Sequence, residues 1–391
     1  MIILAAAQEV GGANVLIPVI EELVHRGDTC VAVLAGGKAV AAFSASGIEH
    51  ASLNFPADAG QEYYDKVYRH LVQVGPDALL LGTALGPSLD KSLVRAAQER
   101  EIPALSVLDM WSNYRERFTE PASGELRLPT KVAVMDGLAF DQAVEAGLPA
   151  SKLVVTGQPH LQALAERISG PGLAAKAASL RHRWLSGVQR PENTRLVMFA
   201  SEAVSRDFGP GTPYYPGYTE FDALEGLVEA VNRVESLTSW PIKVVAKLHP
   251  EESDDSFLMC PRTREARVIV VADQPAWPCI LAADVVVGMR SMFLLESAIA
   301  GRPSVSFQPG VTADNSFIGS RMGMVLPASS TTELASILTG LLREGRAGPG
   351  GAAIDAARPL EFMKEGAARR IGDLVLELAI SDQGRPRRSV P

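Results

Sequence analysis

Two clusters in the 391-residue sequence have the residue types and spacing that binding an anion needs. The first surrounds His249, which follows Lys247 and precedes Pro250 after an apolar run. The second is the short turn from Gly288 to Ser291, which separates an apolar run from a helical pattern. A helix amino terminus offers unpaired N–H groups and a favourable dipole, so this turn predicts a phosphate site with Ser291 as N-cap or hydroxyl donor. A plain structural turn is the alternative.

Further polar side chains extend this predicted anion site. Glu296 lies in the first turns of the following helix, where a carboxylate could reach a ribose or sugar hydroxyl. Arg290 and Lys247 supply positive charge, and a surface or interdomain salt bridge is the alternative for each. Ser201 and Glu202 follow another predicted strand, and their N–H groups could assist phosphate binding.

A general base is expected from one of two carboxylates in the first half of the chain. Glu9 follows the first predicted strand, and Asp109 ends a later one. Either could take a proton from a hydroxyl if burial raised its pKa toward neutrality. Capping of a neighbouring helix or loop is the alternative for both. The segment Trp111 to Arg115 is rich in groups that stack on sugars or, alternatively, fill an interface.

Alternating strand and helix patterns must position these residues. A strand candidate at Met1–Ala7, a turn with Gly11-Gly12 and helical spacing over Val15–Arg26 open the chain. The same alternation continues to about residue 165 and resumes from 196 onward, and residues 352–380 are also helical in pattern. Such alternation predicts parallel sheets, whose ligands bind at the carboxyl ends of the strands. The predicted fold class is therefore α/β, with two Rossmann-like doubly wound domains facing a cleft.

Composition and charge exclude several classes of protein. Hydrophobic residues make up 47% and charged residues 21%, which is typical of a globular chain and not of a disordered one. A net charge of −8 argues against a nucleic-acid partner. Three scattered cysteines indicate small buried side chains in a reducing compartment and no disulfide framework. The start lacks a signal peptide and no run of 18 apolar residues occurs, which predicts a cytoplasmic protein and leaves peripheral membrane association open.

The motifs resemble a known superfamily over essentially the whole chain. Gly11-Gly12, Ala146–Pro159, Lys247–Pro250 and Ala283–Pro303 resemble segments of two-Rossmann-domain (GT-B) glycosyltransferases and of UDP-N-acetylglucosamine 2-epimerases. The last two segments together are similar to sialyltransferases, capsule polymer transferases and CDP-glycerol glycerophosphotransferases. By this resemblance, His249 would contact a donor phosphate, Ser291 would bind phosphate and Glu296 would hold the ribose or sugar.

The resemblance implies a metal-independent glycosyltransferase that moves a sugar or sugar-like unit from a CMP-, CDP- or UDP-linked donor to a glycan or glycoconjugate. The sequence has no Asp-x-Asp metal signature, and no cofactor is expected. A nucleotide-sugar 2-epimerase and a non-catalytic nucleotide-sugar-binding protein remain open alternatives. The predicted domains are an acceptor-side domain at 1–168, a linker at 169–193, a nucleotide-donor domain at 194–350, a helical segment at 351–380 and a mobile tail at 381–391.

Overall fold

The computed structural model describes most of the chain, namely residues 1–27, 29–54, 60–120, 123–168, 171–212, 215–249, 252, 257, 260–265, 267–311, 317–343 and 361–382. These residues form two compact units. The first comprises Met1–Ala163 with the described part of Pro359–Pro391, and the second comprises the described part of Leu164–Arg358.

The first unit is built on a parallel sheet with helices on both faces. Its strands are β1 (Ile2–Ala7), β2 (Cys30–Ala35), β3 (Ala51–Ser52), β4 (Ala78–Leu81), β5 (Ala104–Val107), β6 (Lys131–Val134) and β7 (Leu153–Val155). Its helices include α1 (Val10–Arg26), α2 (Ala39–Ala45), α3 (Gln61–Val74), α4 (Leu89–Glu99) and α5 (Gly137–Glu145), and α6 (Pro159–Ile168) spans the boundary to the second unit. The described strands lie in the order β3-β2-β1-β4-β5-β6-β7, so the strand order reverses between β1 and β4.

Apolar strands explain why this sheet is covered on both faces. The residues of β4 are all buried, as expected for a central parallel strand that contacts helices above and below it. One face packs against α1 and α2, and the other packs against α3 and α4. Ligands of such sheets bind at the carboxyl ends of the strands where the order reverses, which here is the end of β1 and β4.

The second unit repeats this architecture. Its elements are α7 (Pro171–Trp184), β8 (Arg195–Ala200), α8 (Val204–Asp207), α9 (Glu220–Thr238), β9 (Ile242–Lys247), β10 (Val268–Val271), α10 (Ala276–Ala282), β11 (Val285–Gly288), α11 (Met292–Ile299), β12 (Ser304–Phe307), α12 (Ile318–Arg321), β13 (Leu326–Ala328) and α13 (Thr331–Arg343). The described strands are all parallel, in the order β10-β9-β8-β11-β12-β13. The order reverses between β8 and β11.

The last described helix, α14 (Ala367–Asp382), belongs to the first unit. Its apolar face buries Ile371, Val375 and Ala379 in the same core as α1. A short 3-10 turn at Glu361–Met363 precedes it and buries Phe362. The chain therefore returns to the first unit after the second is complete.

The predicted α/β class with two Rossmann-like domains is confirmed, and several local predictions are corrected. Helix α1 begins at Val10, so Gly11-Gly12 lies in its first turn and not in a preceding loop. Residues 169–193, predicted as a helical linker, contain the helix α7, which packs against α10 within the second unit. Of the predicted helix over 352–380, residues 352–360 lie outside the described residues, and α14 starts only at Ala367.

Two further expectations concern the cysteines and the membrane. Cys279 is buried as predicted, but Cys30 is exposed because it lies at the amino end of β2. Within the described residues, none of the helices combines the length and apolar character that a bilayer crossing requires. Cytoplasmic location and peripheral membrane association stay predictions. Of the tail predicted at 381–391, residues 381 and 382 form the end of α14, and the rest lies outside the described residues.

Candidate functional site

The predicted anion turn lies at the strand-order reversal of the second unit. Strands β8 and β11 are neighbours, and Ala200 pairs with Gly288 at their carboxyl ends. A Cβ atom at Gly288 would lie 3.0 Å from the backbone oxygen of Ala200 and 3.3 Å from Leu294 of α11. Glycine is therefore needed where the strand, its neighbour and the next helix meet. The loops after β8 and β11 consequently share one edge of the sheet.

Ser291 is the N-cap of α11, as the sequence predicts. Its backbone is extended, and its hydroxyl oxygen accepts a hydrogen bond from the N–H of Phe293 at 3.2 Å. This hydrogen bond satisfies one of the N–H groups that a helix amino terminus leaves unpaired. The N–H groups of the preceding β11–α11 turn, Met289 to Ser291, point to a different partner.

That partner is the carboxylate of Glu202, in the loop after β8. Its Oε1 atom accepts hydrogen bonds from the N–H groups of Met289, Arg290 and Ser291 at 3.1, 2.5 and 2.8 Å. The sequence predicted that N–H groups near Glu202 would help to hold a phosphate. In the structure, the Glu202 side chain instead accepts from the N–H groups of Met289 to Ser291, which were also expected to bind a phosphate.

Burial and hydrogen bonding act in opposite directions on Glu202. Removal from water raises the pKa of the Glu202 carboxyl, while the hydrogen bond from Arg290 N–H, the guanidinium charge of Arg290 and the other two N–H groups lower it. The guanidinium also lies 5.7 Å from the centre of the Phe208 ring. The role of Arg290 toward a ligand stays a prediction.

His249 and Ser201 meet at a second carboxylate, Glu252. The backbone N–H of His249 donates to Glu252 Oε2 at 2.6 Å, and the Ser201 hydroxyl donates to Oε1 of the same carboxylate at 2.7 Å. Burial raises the pKa of Glu252 to about 7, opposed by these two hydrogen bonds and supported by the negative charges of Glu220 and Glu202. The loops after β8 and β9 are therefore tied together, and Pro250 of the His-Pro motif lies outside the described residues.

Lys247 and Glu296 belong to β9 and α11, the strand and the helix beside this edge. Lys247 ends β9, its backbone oxygen accepts from the Ser201 N–H at 3.0 Å, and its charge lowers the pKa of the buried Cys279 thiol, which burial raises to about 11. Glu296 is the fifth residue of α11 and is half-buried. The roles of Lys247, Glu296 and His249 toward a ligand stay predictions.

The first unit brings the two predicted bases together. Glu9 is the N-cap residue of α1, but its side chain makes no capping hydrogen bond to the helix. Burial raises the pKa of its carboxyl, and the negative charge of Asp109 raises it further. Asp109 is held by Arg117, whose Nη1 donates to its Oδ1 at 2.6 Å. Glu9 thus has a raised pKa, which favours its neutral form. Its neighbour Asp109 is paired with the buried positive charge of Arg117.

Glycines in the first turn of α1 make room for this arrangement. A Cβ atom at Gly11 would lie 2.0 Å from Asp109 Oδ2, so only glycine allows the carboxylate its position. A Cβ atom at Gly82, after β4, would lie 2.9 Å from the Gly12 Cα atom. The glycine pair therefore lets α1 approach both β4 and Asp109 closely. This packing requirement accounts for both glycines.

A third carboxylate, Asp90, interacts electrostatically with this pair and was not predicted. It is 4% exposed, and neither carboxylate oxygen accepts a hydrogen bond from the described residues. It lines a small cavity with Lys91 and Arg117, and Arg117 also donates to the Thr83 hydroxyl at 2.8 Å. Burial raises the pKa of Asp90 to about 7, the nearby backbone N–H groups of Asp90 and Gln8 oppose this shift, and the charges of Glu9 and Asp109 add to it.

The aromatic residues after Asp109 fill the interior. Trp111 is 6% exposed, donates from its ring nitrogen to both oxygens of Asp136 at 3.0 Å, and packs edge-on against Phe362. Tyr114 is 6% exposed, and its hydroxyl donates to Gln142 at 2.8 Å. Of the two alternatives for this segment, the structure favours packing over stacking on a sugar.

Four important side chains escaped the sequence reasoning, namely Asp90, Arg117, Glu202 and Glu252. Glu202 acts through neighbours distant in sequence, as in its contact with Ser291, whereas Arg117 and Glu252 lie eight and three residues from Asp109 and His249. Glu202 also follows a strand that the sequence already placed at the site. Among the described residues, the structure shows no group of three or more His, Cys, Asp or Glu side chains suited to a metal ion.

Comparison with known proteins identifies the fold. No family model matches the chain, and no curated protein matches it by sequence. Among solved structures, UDP-GlcNAc 2-epimerase of Neisseria meningitidis bound to UDP-GlcNAc is similar, with a TM-score of 0.67, 15% identity, and 96% of this chain and 100% of that chain covered. The S. aureus MnaA–UDP structure gives a TM-score of 0.68 at 12% identity, with both chains fully covered.

A third similar structure is a complex of Anabaena Alr3699/HepE with UDP. Its TM-score is 0.60 at 16% identity, and 97% of this chain and 100% of that chain are covered. At these identities the similarity shows the fold alone. The chain therefore shares the two-domain α/β fold of these three structures.

Proposed function

We propose that the protein is a metal-independent glycosyltransferase that uses a nucleotide-linked sugar as donor and a glycan or glycoconjugate as acceptor. The observation that carries the proposal is the Glu9–Asp109 pair at the carboxyl edge of the first sheet. A base that deprotonates an acceptor hydroxyl works best when its pKa approaches the working pH. The pKa of Glu9 is shifted in that direction by burial and by the neighbouring Asp109 charge.

Donor binding is assigned to the second unit. The β11–α11 turn carries converging N–H groups, and His249, Lys247 and Arg290 are cationic or hydrogen-bonding groups of the same sheet edge. Such groups stabilise the negative charge that develops on a leaving nucleotide phosphate. Glu296 would hold the ribose or the sugar. The three structures compared above have UDP or UDP-GlcNAc in their complexes, which supports a UDP-linked donor.

A nucleotide-sugar 2-epimerase is the second candidate, and the same carboxylate pair favours it. Epimerisation needs an acid and a base on the two sides of one sugar carbon, and two adjacent carboxyls with different environments supply such a pair. Glu9 has a raised pKa, whereas Asp109 is ion-paired with Arg117. In this reaction no acceptor is required.

The test follows the fate of the donor in D₂O with EDTA present. We expect purified protein to release UDP, CMP or CDP from its matching donor only when an acceptor is added, without deuterium entering the sugar. Deuterium at C2 of the recovered nucleotide sugar would instead establish the epimerase. A protein that binds nucleotides in a thermal-shift screen but turns over no donor would be the non-catalytic alternative.

Variants of the carboxylate pair connect the activity to the structure. Glu9→Gln and Asp109→Asn are expected to lower turnover by about 10²- to 10⁴-fold, the usual contribution of a positioned acid or base. Glu145→Gln, an exposed neutralisation in α5 of the same unit, is the matched control and should retain the parental rate. Full activity in both Glu9→Gln and Asp109→Asn would refute the assignment.

A further inference from the structure

Glu202 occupies the place that a ligand phosphate would need in the second unit. Three successive N–H groups, those of Met289 to Ser291, donate to its Oε1 atom at 3.1, 2.5 and 2.8 Å. Phosphate oxygens at helix amino termini accept from N–H groups that converge in the same way. A phosphate and the Glu202 carboxylate therefore compete for the same donors.

We propose that Glu202 is a built-in competitor, an autoinhibitory anion that must leave the β11–α11 turn before the phosphate of a nucleotide can bind there. This inference rests on the proposed function, which supplies the nucleotide. It goes beyond that function because it assigns the control of donor affinity to the side chain of Glu202.

The position of the loops explains how one carboxylate reaches all three donors. Strands β8 and β11 are direct neighbours at the strand-order reversal, and Ala200 pairs with Gly288 at their ends. Glu202 follows β8 by two residues, and Met289 follows β11 directly. Because Gly288 lacks a side chain, the loops that follow β8 and β11 can approach each other closely. The carboxylate thus spans the position where ligands of this sheet type bind.

The Glu202 side chain can leave without unfolding the loop that carries it. The backbone around it is fixed independently, because the Ser201 N–H donates to Lys247 O at 3.0 Å and the Val204 N–H donates to Glu202 O at 2.7 Å. The Ser201 hydroxyl is bound to Glu252. A rotation of the Glu202 side chain alone therefore exposes the three N–H groups of the turn.

The exchange also has an electrostatic driving force. Burial disfavours the charged form of Glu202, and its negative charge acts against the carboxyl of Glu252, which is in turn held near Glu220. A diphosphate carries more negative charge than a carboxylate, and the helix dipole and Arg290 both favour that charge. Outward rotation of Glu202 would return its own carboxylate to water.

A permanent structural cap is the competing explanation for the same hydrogen bonds. In that case Glu202 would hold the β11–α11 turn in shape, and its removal would weaken ligand binding or leave it unchanged. An intramolecular competitor gives the opposite sign, since its removal makes the donors available. The two explanations are therefore separated by the direction of one affinity change.

The experiment measures Kd for UDP and for inorganic pyrophosphate by calorimetry in the parent, in Glu202→Gln and in Glu202→Asp. The glutamine keeps the size without the charge, and the aspartate keeps the charge on a chain too short by one methylene. We expect about 10-fold tighter binding for Glu202→Gln and a smaller gain for Glu202→Asp. Glu192→Gln, which removes an exposed charge of the same unit away from the turn, should change Kd by less than about 3-fold.

The outcomes distinguish this inference from the proposed function. If the parent binds UDP and neither Glu202 variant binds more tightly, the competitor role fails while nucleotide binding stands. If neither ligand binds to the parent or to either variant, both proposals fail. A crystal structure with UDP gives the direct readout: a phosphate oxygen on the three N–H groups and Glu202 rotated away support the inference. UDP bound with Glu202 still in place overturns it.

Discussion

At the scale of single residues, the buried carboxyl of Asp90 should make the stability of the protein depend on pH. Its carboxyl is buried without a hydrogen-bond partner among the described residues, and burial raises its pKa from 3.8 to about 7. A raised pKa means that the folded state holds the proton more tightly, so stability is lost as pH rises from about 4 through 7. Because one unit of pKa shift corresponds to about 1.4 kcal/mol, the loss should reach roughly 3–5 kcal/mol.

Asp90→Asn removes this titration. We expect the difference in unfolding free energy between variant and parent to grow by roughly 3–5 kcal/mol in favour of the variant from pH 4 to pH 8. Urea unfolding across this range measures it, and the pH-independent cost of the amide cancels. Ser92→Ala, a neutral change on the same helix, should give a constant difference. Parallel profiles for Asp90→Asn and the parent would show that Asp90 carries no such shift.

The site residues divide into those with local signals and those without. Ser291 was predictable as an N-cap because a helical pattern begins directly after it, and its hydroxyl does accept from Phe293. The place of the Glu202 carboxylate was not predictable, because its partners at Met289 to Ser291 lie 87–89 residues further along the chain. Contacts of that kind depend on which strands become neighbours, and periodicity carries no information about strand order.

At the scale of elements, one ion pair joins α7 to the central strands of the second unit. Arg181 Nη2 donates to Asp284 Oδ2 at 2.9 Å, and the same oxygen accepts from the Leu196 N–H at 2.7 Å. The side chains are only 15% and 7% exposed. Loss of one partner leaves a buried charge unpaired, so Asp284→Ala should cost about 3–5 kcal/mol of unfolding free energy.

A double-mutant cycle with Arg181→Met checks this cost. The two changes together should cost less than the sum of the single changes, with a coupling of about 1–3 kcal/mol in chemical denaturation. The exposed pair Arg233–Glu229 on α9, at 48% and 46% exposure, is the matched control and should couple by no more than about 0.5 kcal/mol. Additive costs for Arg181 and Asp284 would mean that α7 is not fastened by this pair.

Strands and helices were predictable where their periodicity is strong, and less so at their ends. The strand Ile242–Lys247 coincides with the mainly apolar run that precedes His249 in the sequence, since such a run is typical of a buried parallel strand. The start of α1 was missed because a glycine pair usually indicates a turn, whereas Gly11 here makes room for Asp109. The packing of α7 could not be foreseen, because Arg181 meets a partner about a hundred residues away.

At the scale of the whole molecule, the chain builds one unit, then the other, and returns to the first. A helical pattern near the carboxyl end was visible in the sequence, but a pattern shows only that one face is apolar. It does not show which core that face will join. In the structure, the buried residues of α14 lie in one cluster with those of α1 and β1. Arg26 of α1 also donates to Asp373 of α14 at 2.7 Å.

Ile371 tests whether this returning helix stabilises the first unit alone. The side chain is fully buried in the core shared by α1 and α14, so Ile371→Ala should cost about 2–5 kcal/mol through lost contacts and a cavity. Hydrogen exchange should show faster opening of β1 and β4, with β8 and β11 unchanged, because the two units have separate cores. Ile380→Ala on the same helix removes a side chain that is 59% exposed and should alter neither unit. Equal loss of protection in both units would instead mean that they unfold as one cooperative body.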